Sequence, residues 1–498
     1  MEDVRVAIVG AGFGGLGAAI RLRQAGIDDV VVLERRDDVG GTWWDNTYPG
    51  CACDVPAHLY SFSFAQNPDW SRMFAPQPEI LAYLRGVARE HGVLPQIRFG
   101  TEMRSARWDA EQHRWQIETA DGAFAARVLV TAAGPLSEPS KPDIAGLERF
   151  EGPMFHSAEW DHEHDLRGRR VAVIGTGASS AQFIPHVQPL AEHLTVFQRT
   201  PAWVFPRLDF PHPPALRRVF RRFPRLQRAV RTFVYYFAET LVYGLTKNPN
   251  ALKPNEAIAR WNLHRAIEDP ELRAKLTPDY RIGCKRIIFA NDYFPALAQP
   301  NVDVVTARIR EVVADGVVTE DGVHHPADTI ILGTGFKVFA PPVIEGIVGR
   351  DGRSLGEVWR EGGAQAYRGT VVAGFPNHFL IIGPNTGLGN NSMINIIEGQ
   401  LDLVVDAVAT MERERLACIA VRREAQDEHN AMIQRRMHGT VWTAGGCKSW
   451  YLGKDGVNRT LWPGYSNEFR RSVARFEAAD FELTALDRRP EPAPAQAA

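Results

Sequence analysis

The chain has 498 residues, room for about three domains of ordinary size, and its 45% hydrophobic and 23% charged residues are those of a globular protein in water. A net charge of −2 gives no general reason to expect nucleic acid or an anionic membrane as partner. Five cysteines form a sparse, odd set that speaks against a disulfide framework and fits a reducing, cytoplasmic setting.

Residues 4–9 are a continuous apolar run that reads as a strand, with no signal-peptide anatomy before it. Gly10-Ala11-Gly12-Phe13-Gly14-Gly15 follows, then a helical stretch over 16–25 and a second strand over 29–33 that ends in Glu34. This is the order of a dinucleotide-binding βαβ unit. Gly10 permits the tight turn, Gly12 lets backbone amides approach a pyrophosphate, and Gly15 allows close contact between helix and strand. The phosphates sit at a helix N-terminus, and Glu34 receives ribose hydroxyls.

The same grammar returns after residue 169. A strand over 170–174 leads into Gly175-Thr176-Gly177-Ala178-Ser179-Ser180, a helix over 181–192 and a strand over 194–198. Gly175, Thr176, Gly177 and Ser180 are the expected nucleotide contacts of this second turn. Its second strand ends in Gln198-Arg199-Thr200 rather than in an acid. A cation there suits a 2′-phosphate, so NADPH is expected over NADH.

From 205 to 277 the pattern turns helical and rich in Arg, Phe and Pro, an insertion in the second dinucleotide domain. Its apolar segment at 232–243 is interrupted by Glu239 and preceded by a basic stretch. A helical wall packed against the domain is expected there, the other reading being a membrane-surface helix. No run reaches the ~18 apolar residues of a membrane span. Strands resume near 287, at 302–305 and at 329–332, and a last strand is expected over 379–382, with a helix after it. The Pro/Ala-rich residues 488–498 read as a disordered tail. The fold expected is therefore α/β, with two Rossmann-like dinucleotide-binding domains. Residues 1–140 and 336–487 form one, and residues 141–335 form the other, carrying the insertion at about 205–280.

Between the two glycine turns lies Phe150-x-Gly152-x-x-x-His156-x-x-x-Trp160-Asp161. This pattern resembles the signature of type I Baeyer–Villiger monooxygenases, which use FAD, NADPH and dioxygen. The resemblance runs from about residue 4 to about 475. Gly40-Gly41-Thr42-Trp43 and Tyr48-Pro49-Gly50-Cys51-Ala52-Cys53-Asp54 resemble the family's flavin-covering segment, with Thr42, Trp43 and Asp54 as cofactor contacts. Phe197-Gln198-Arg199-Thr200-Pro201 and Gly283-Cys284-Lys285-Arg286 match its NADPH and catalytic segments, and Ser449-Trp450-Tyr451 matches its cofactor-covering C-terminal loop.

By that resemblance Tyr60, Met103 and Met393 are FAD contacts, Lys285 joins Arg199 and Thr200 around the 2′-phosphate, and Trp450 covers the NADP ribose. The family's chemistry implies that reduced flavin and dioxygen form a C4a-peroxide, which attacks a ketone carbonyl and yields an ester or lactone. Arg286 stabilises the anion, since a guanidinium keeps its charge at every working pH, and Asp54 pairs with Arg286. His156 and Trp160 couple the domains as a hinge and do not touch substrate. The 387–392 loop is more glycine-rich than in the cyclic- and aryl-ketone members, so a different pocket is expected.

Cys51 and Cys53 lack the Cys-x-x-Cys spacing of disulfide reductases, and no cluster has metal-ligand spacing. The competing reading is a flavin monooxygenase oxidising sulfur or nitrogen; Trp160-Asp161 and Lys285-Arg286 oppose it. The expected partners are a small ketone and O2, without nucleic acid or membrane, in a monomer or homodimer.

Overall fold

The computed structural model describes residues 1–338 and 341–486. Its apolar, β-branched runs assemble into two main sheets. The first runs in the order Ile347–Val348, Met103–Asp109, Arg114–Thr119, Ala123–Thr131, Glu2–Val9, Val30–Leu33 and Ile97–Arg98, and His378–Leu380 also pairs with Ala123–Thr131. Glu2–Val9 is its centre, parallel to both neighbours, with Val6 opposite Val30 on one side and Val128 on the other. Val6, Ala7 and Ile8 are fully buried, as expected of a parallel strand covered on both faces.

The second sheet is parallel throughout, in the order Val302–Val305, His193–Phe197, Arg170–Ile174, Thr329–Leu332 and Met154–His156. His156 thus ends an edge strand. Its Nδ1 accepts from the Ala158 amide at 3.1 Å, and Trp160 packs edge-on against Phe155. Neither residue faces the large cleft described below.

Two elements depart from expectation. The helix after the second turn spans Ala178–Val187 rather than 181–192. It starts directly from Gly177, runs through Pro185 and ends at Val187, two residues before Pro189. The strand expected over 379–382 is His378–Leu380. Ile382 takes a left-handed φ of 61°, which ends it, and its amide donates to Gln400 Oε1 at 2.8 Å. The expected tail, residues 488–498, lies outside the described residues.

The insertion consists of the helices Pro214–Arg222, Pro224–Glu239, Leu241–Thr246, Lys253–Ala266 and Pro270–Lys275. Proline opens three of them, where its missing amide costs nothing. Two buried charges fasten the Pro224–Glu239 helix to the rest of the molecule. Arg231 donates to the carbonyls of His58, Leu59 and Ser61 at 2.9–3.0 Å. Glu239 accepts from Asn391 Nδ2 at 2.6 Å and from the amide and hydroxyl of Ser466 at 2.9 Å. One face of this helix forms the expected wall. The opposite face leaves Phe233, Tyr236 and Phe237 exposed. Among the described residues no helix is long and apolar enough to cross a membrane.

The cysteines also differ from expectation in one respect. Cys284 and Cys447 are bonded, 163 residues apart in sequence and with Cα atoms 6.1 Å apart. Cys51, Cys53 and Cys418 are free and buried.

Candidate active site

The central parallel strands of both sheets send their C-terminal ends to one cleft of about 2030 Å³. In the first turn Gly10 adopts φ +99°, and a Cβ on Gly15 would lie 1.8 Å from the Gly10 carbonyl oxygen. The chain here admits glycine alone. Glu34, at the end of Val30–Leu33, accepts from the amides of Ala11 at 2.6 Å and Arg36 at 2.9 Å. Burial raises its carboxyl above the usual range, the two amides opposing that shift.

The second turn repeats the geometry, with Gly175 at φ +107° and its Cβ position 2.4 Å from the Gly333 carbonyl oxygen. Thr176 and Gly177 line the cleft, and so does Ser179. Ser180 does not. It is fully buried, on the side of the helix that faces Gly333. A step of one residue turns a helix by about 100°, so Ser179 faces the cleft where Ser180 does not. Gly15 likewise lies beneath the cleft as a packing residue.

Arg199, Thr200 and Lys285 stand together along one rim. Neither Arg199 nor Lys285 forms an ion pair among the described residues. Burial, and then the charge of Arg199, depress the Lys285 ammonium below the ordinary lysine range. Its Nζ lies 5.1 Å from the centre of the Tyr280 ring. The two cations outnumber the one carboxylate, Asp279, whose charge also reaches Lys285, so the rim suits an anion.

Deeper in the cleft, Arg286 and Asp54 meet across 232 residues of sequence. Nη2 donates to both carboxylate oxygens at 2.7 Å, Nε donates to Oδ2 at 3.1 Å, and Nη1 reaches the Leu388 carbonyl at 3.4 Å. The Asp54 charge holds the guanidinium above the usual arginine range, against the opposing effect of burial. The side chains remain 33% and 23% exposed, so the pair is open to the cleft. Trp43 Nε1 donates to the Tyr60 hydroxyl at 3.1 Å, and Met103 and Met393 also line the cleft. Trp450 lies at the mouth, 56% exposed.

Several contributors were not singled out from the sequence. Tyr451 is buried in the same cleft, and burial pushes its hydroxyl up to about 12 despite the nearby Arg286 charge. Arg207 donates to the Cys53 carbonyl at 3.2 Å with its guanidinium 4.9 Å from the Phe74 ring centre. Gln182, on the Ala178–Val187 helix, accepts from the Tyr48 hydroxyl at 3.0 Å and donates to the Ala52 carbonyl at 3.0 Å. Tyr451 lay beside Trp450 in a recognised motif; nothing in the spacing pointed to Gln182 or Arg207. Burial raises the Cys51 thiol to about 12 and the Cys53 thiol further, so both are inert at neutral pH.

Two sheets, each with a central parallel strand that opens on its own glycine turn and both sharing one cleft, define an oxidoreductase of the two-dinucleotide class. The family described as pyridine nucleotide-disulphide oxidoreductase matches residues 7–211. A Baeyer–Villiger monooxygenase of Streptomyces coelicolor is 52% identical over 99% of this chain and 94% of its own length. One from Pseudomonas aeruginosa is 48% identical over 96% and 91%. An oxidized steroid monooxygenase bound to NADP superposes with a TM-score of 0.85 at 33% identity, covering 97% of this chain and all of that one. The chain belongs to the Baeyer–Villiger monooxygenase family.

Proposed function

We propose that the protein is an NADPH- and FAD-dependent monooxygenase that converts a ketone to an ester or lactone, with Arg286 as the charged group at the reacting oxygen. The overall balance is ketone, NADPH, H⁺ and O2 giving ester, NADP⁺ and water. Residues 1–140 and 336–487 hold FAD in this reading, and residues 141–335 hold NADPH.

The residues present suit both cofactors. At Gly10 and Gly175 the left-handed turn keeps the backbone free of side chains beside the first turn of a helix, where two phosphates find unpaired amides. Glu34 offers a buried carboxylate to ribose, and Arg199 with Lys285 offers unpaired positive charge to a 2′-phosphate. Bound FAD, once reduced by NADPH, supplies the chemistry with dioxygen.

The observation that carries the reading is the Arg286–Asp54 pair, open to the cleft between the two turns. Arg286 brings a permanent positive charge and donors in a fixed fork to where negative charge develops on oxygen. Asp54 fixes the direction of that fork through three contacts of 2.7–3.1 Å. Tyr451 and Trp43 supply the aromatic walls that keep water from it. With Arg286→Ala the protein should still oxidise NADPH, yet ester formation should fall at least 100-fold, as expected for the loss of a preorganised donor. The assay follows NADPH and labelled oxygen over a panel of linear, cyclic and aryl ketones and thioethers. Undiminished ester formation would remove Arg286 from the mechanism, and sulfoxides as the sole products would move the enzyme to heteroatom oxidation.

A further inference from the structure

The helical insertion carries a surface that the chemistry of the cleft does not use. On the Pro224–Glu239 helix, Leu226, Phe233, Tyr236 and Phe237 share the outward face, and Tyr243 continues it on the next helix. Phe233, Tyr236 and Phe237 are 71%, 61% and 69% exposed. The rings of Phe233 and Phe237 stack on each other with centroids 6.2 Å apart. From 232 to 246 every exposed side chain is uncharged, because Glu239, the one charged residue there, points inward to Asn391 and Ser466. A contiguous aromatic face of this kind marks a contact surface.

Charge says what it contacts. Between residues 210 and 255 there are nine lysines and arginines and a single acid, Glu239, so this segment carries +8 in a chain whose net charge is −2. Arg218, Arg222, Arg225 and Arg228 are exposed and form no ion pair among the described residues, whereas Arg221 pairs with Asp69. The cations cluster on Pro214–Arg222 and the first turns of Pro224–Glu239, immediately before the aromatic residues in the chain. A second copy of the chain would set like charge against like charge. An anionic bilayer satisfies both halves, taking aromatic rings into the acyl boundary and guanidinium groups onto its headgroups.

We propose that the Pro214–Arg222 and Pro224–Glu239 helices form a docking surface for an anionic lipid bilayer. The protein lies on the membrane, since none of its described helices can span one. The surface is also fastened to the cleft. Glu239 holds Asn391, and the 387–391 segment contributes Gly387, Leu388 and Asn391 to the cleft wall. An apolar ketone dissolved in the bilayer therefore lies next to the helix that supports this wall.

The test uses the FAD-loaded, full-length protein and sedimentation with vesicles of phosphatidylcholine, with and without phosphatidylglycerol, at low and high salt. No ketone is present, so the outcome is independent of the proposed oxygenation. Wild type should sediment with the phosphatidylglycerol vesicles and lose most of that binding at high salt. At roughly fivefold per arginine, Arg218→Gln/Arg222→Gln/Arg225→Gln should weaken partitioning by about 100-fold. Phe233→Ser/Phe237→Ser should weaken it at least ~10-fold at both salts. Both variants should keep wild-type NADPH oxidation without vesicles, which shows that they fold. Three results overturn the proposal. They are wild type remaining in the supernatant, binding that survives both sets of substitutions, and a vesicle-independent dimer that Phe233→Ser/Phe237→Ser dissolves.

Discussion

Arg199→Ala separates the two nicotinamide cofactors. A unit charge about 4 Å from a phosphate is worth ~1 kcal/mol in bulk water and ~4 kcal/mol near a protein surface. Arg199 is exposed on the rim, and Lys285 remains beside it, so a loss of ~2 kcal/mol is expected, about 30-fold in kcat/KM for NADPH. NADH has no 2′-phosphate, and its kcat/KM should hold within about twofold. A second consequence concerns pH. Lys285 titrates below the ordinary lysine range, through burial first and Arg199 second. Its charge, and with it the grip on NADPH, is therefore lost as pH rises through that lowered value. Removing Arg199 takes away the smaller cause alone. The alkaline rise in KM for NADPH should then move to higher pH, while staying below the ordinary lysine range. Steady-state kinetics with both cofactors from neutral to alkaline pH measure all of this. Equal losses for NADH and NADPH, or an alkaline limb that moves down in pH, would refute the assignment of this rim to the 2′-phosphate.

Gly15→Ala places a Cβ 1.8 Å from the Gly10 carbonyl; the variant should lose several kcal/mol of stability and purify without FAD, and a yellow variant with wild-type Tm would contradict this. Glu34→Gln should weaken FAD binding roughly 10-fold. The Glu34 carboxyl is raised by burial, so wild-type affinity for FAD should fall as pH drops through that raised value and the variant should lose this dependence; fluorescence titration against pH checks it, and identical profiles would sink the role of Glu34. Cys284→Ser opens a link across 163 residues whose closure is worth at most ~5 kcal/mol in the loop-entropy account. Dithiothreitol should lower the Tm of wild type and leave that of the variant unmoved; a reductant-insensitive wild type would show the bond to be absent in solution.

What could be read from the sequence was local. The two glycine turns carry their meaning within a few residues, because a tight turn and a close approach need the same chain segment. The strands over Arg170–Ile174, Val302–Val305 and Thr329–Leu332 lie where their apolar runs place them. The Arg286–Asp54 pair was expected by family resemblance, since no spacing argument brings together residues 232 apart. Cys284 and Cys447 escaped for the same reason. Ser180 is a different case. Two adjacent serines satisfy the same motif, and the helix rotation that sends one to Gly333 and the other to the cleft depends on packing with Thr329–Leu332 and its turn. For the 232–243 segment the sequence left two readings, a packed wall and a membrane-surface helix, because a periodic apolar pattern does not say which of its sides the protein covers.

The Gln182 contacts have a consequence for how the two halves move. Tyr48 and Ala52 belong to a segment that lines the cleft, while Gln182 rides the helix that begins at the second glycine turn. Gly50, between them, has no room for a methyl group, its Cβ position lying 2.5 Å from the His186 ring. One half of the molecule cannot swivel against the other and leave this strip at rest. It must either carry the strip along, as meshed teeth carry a wheel, or shear off the Gln182 amide's grip. The lining of the cleft around Tyr48 and Ala52 is thereby geared to the orientation of the Gln182 helix.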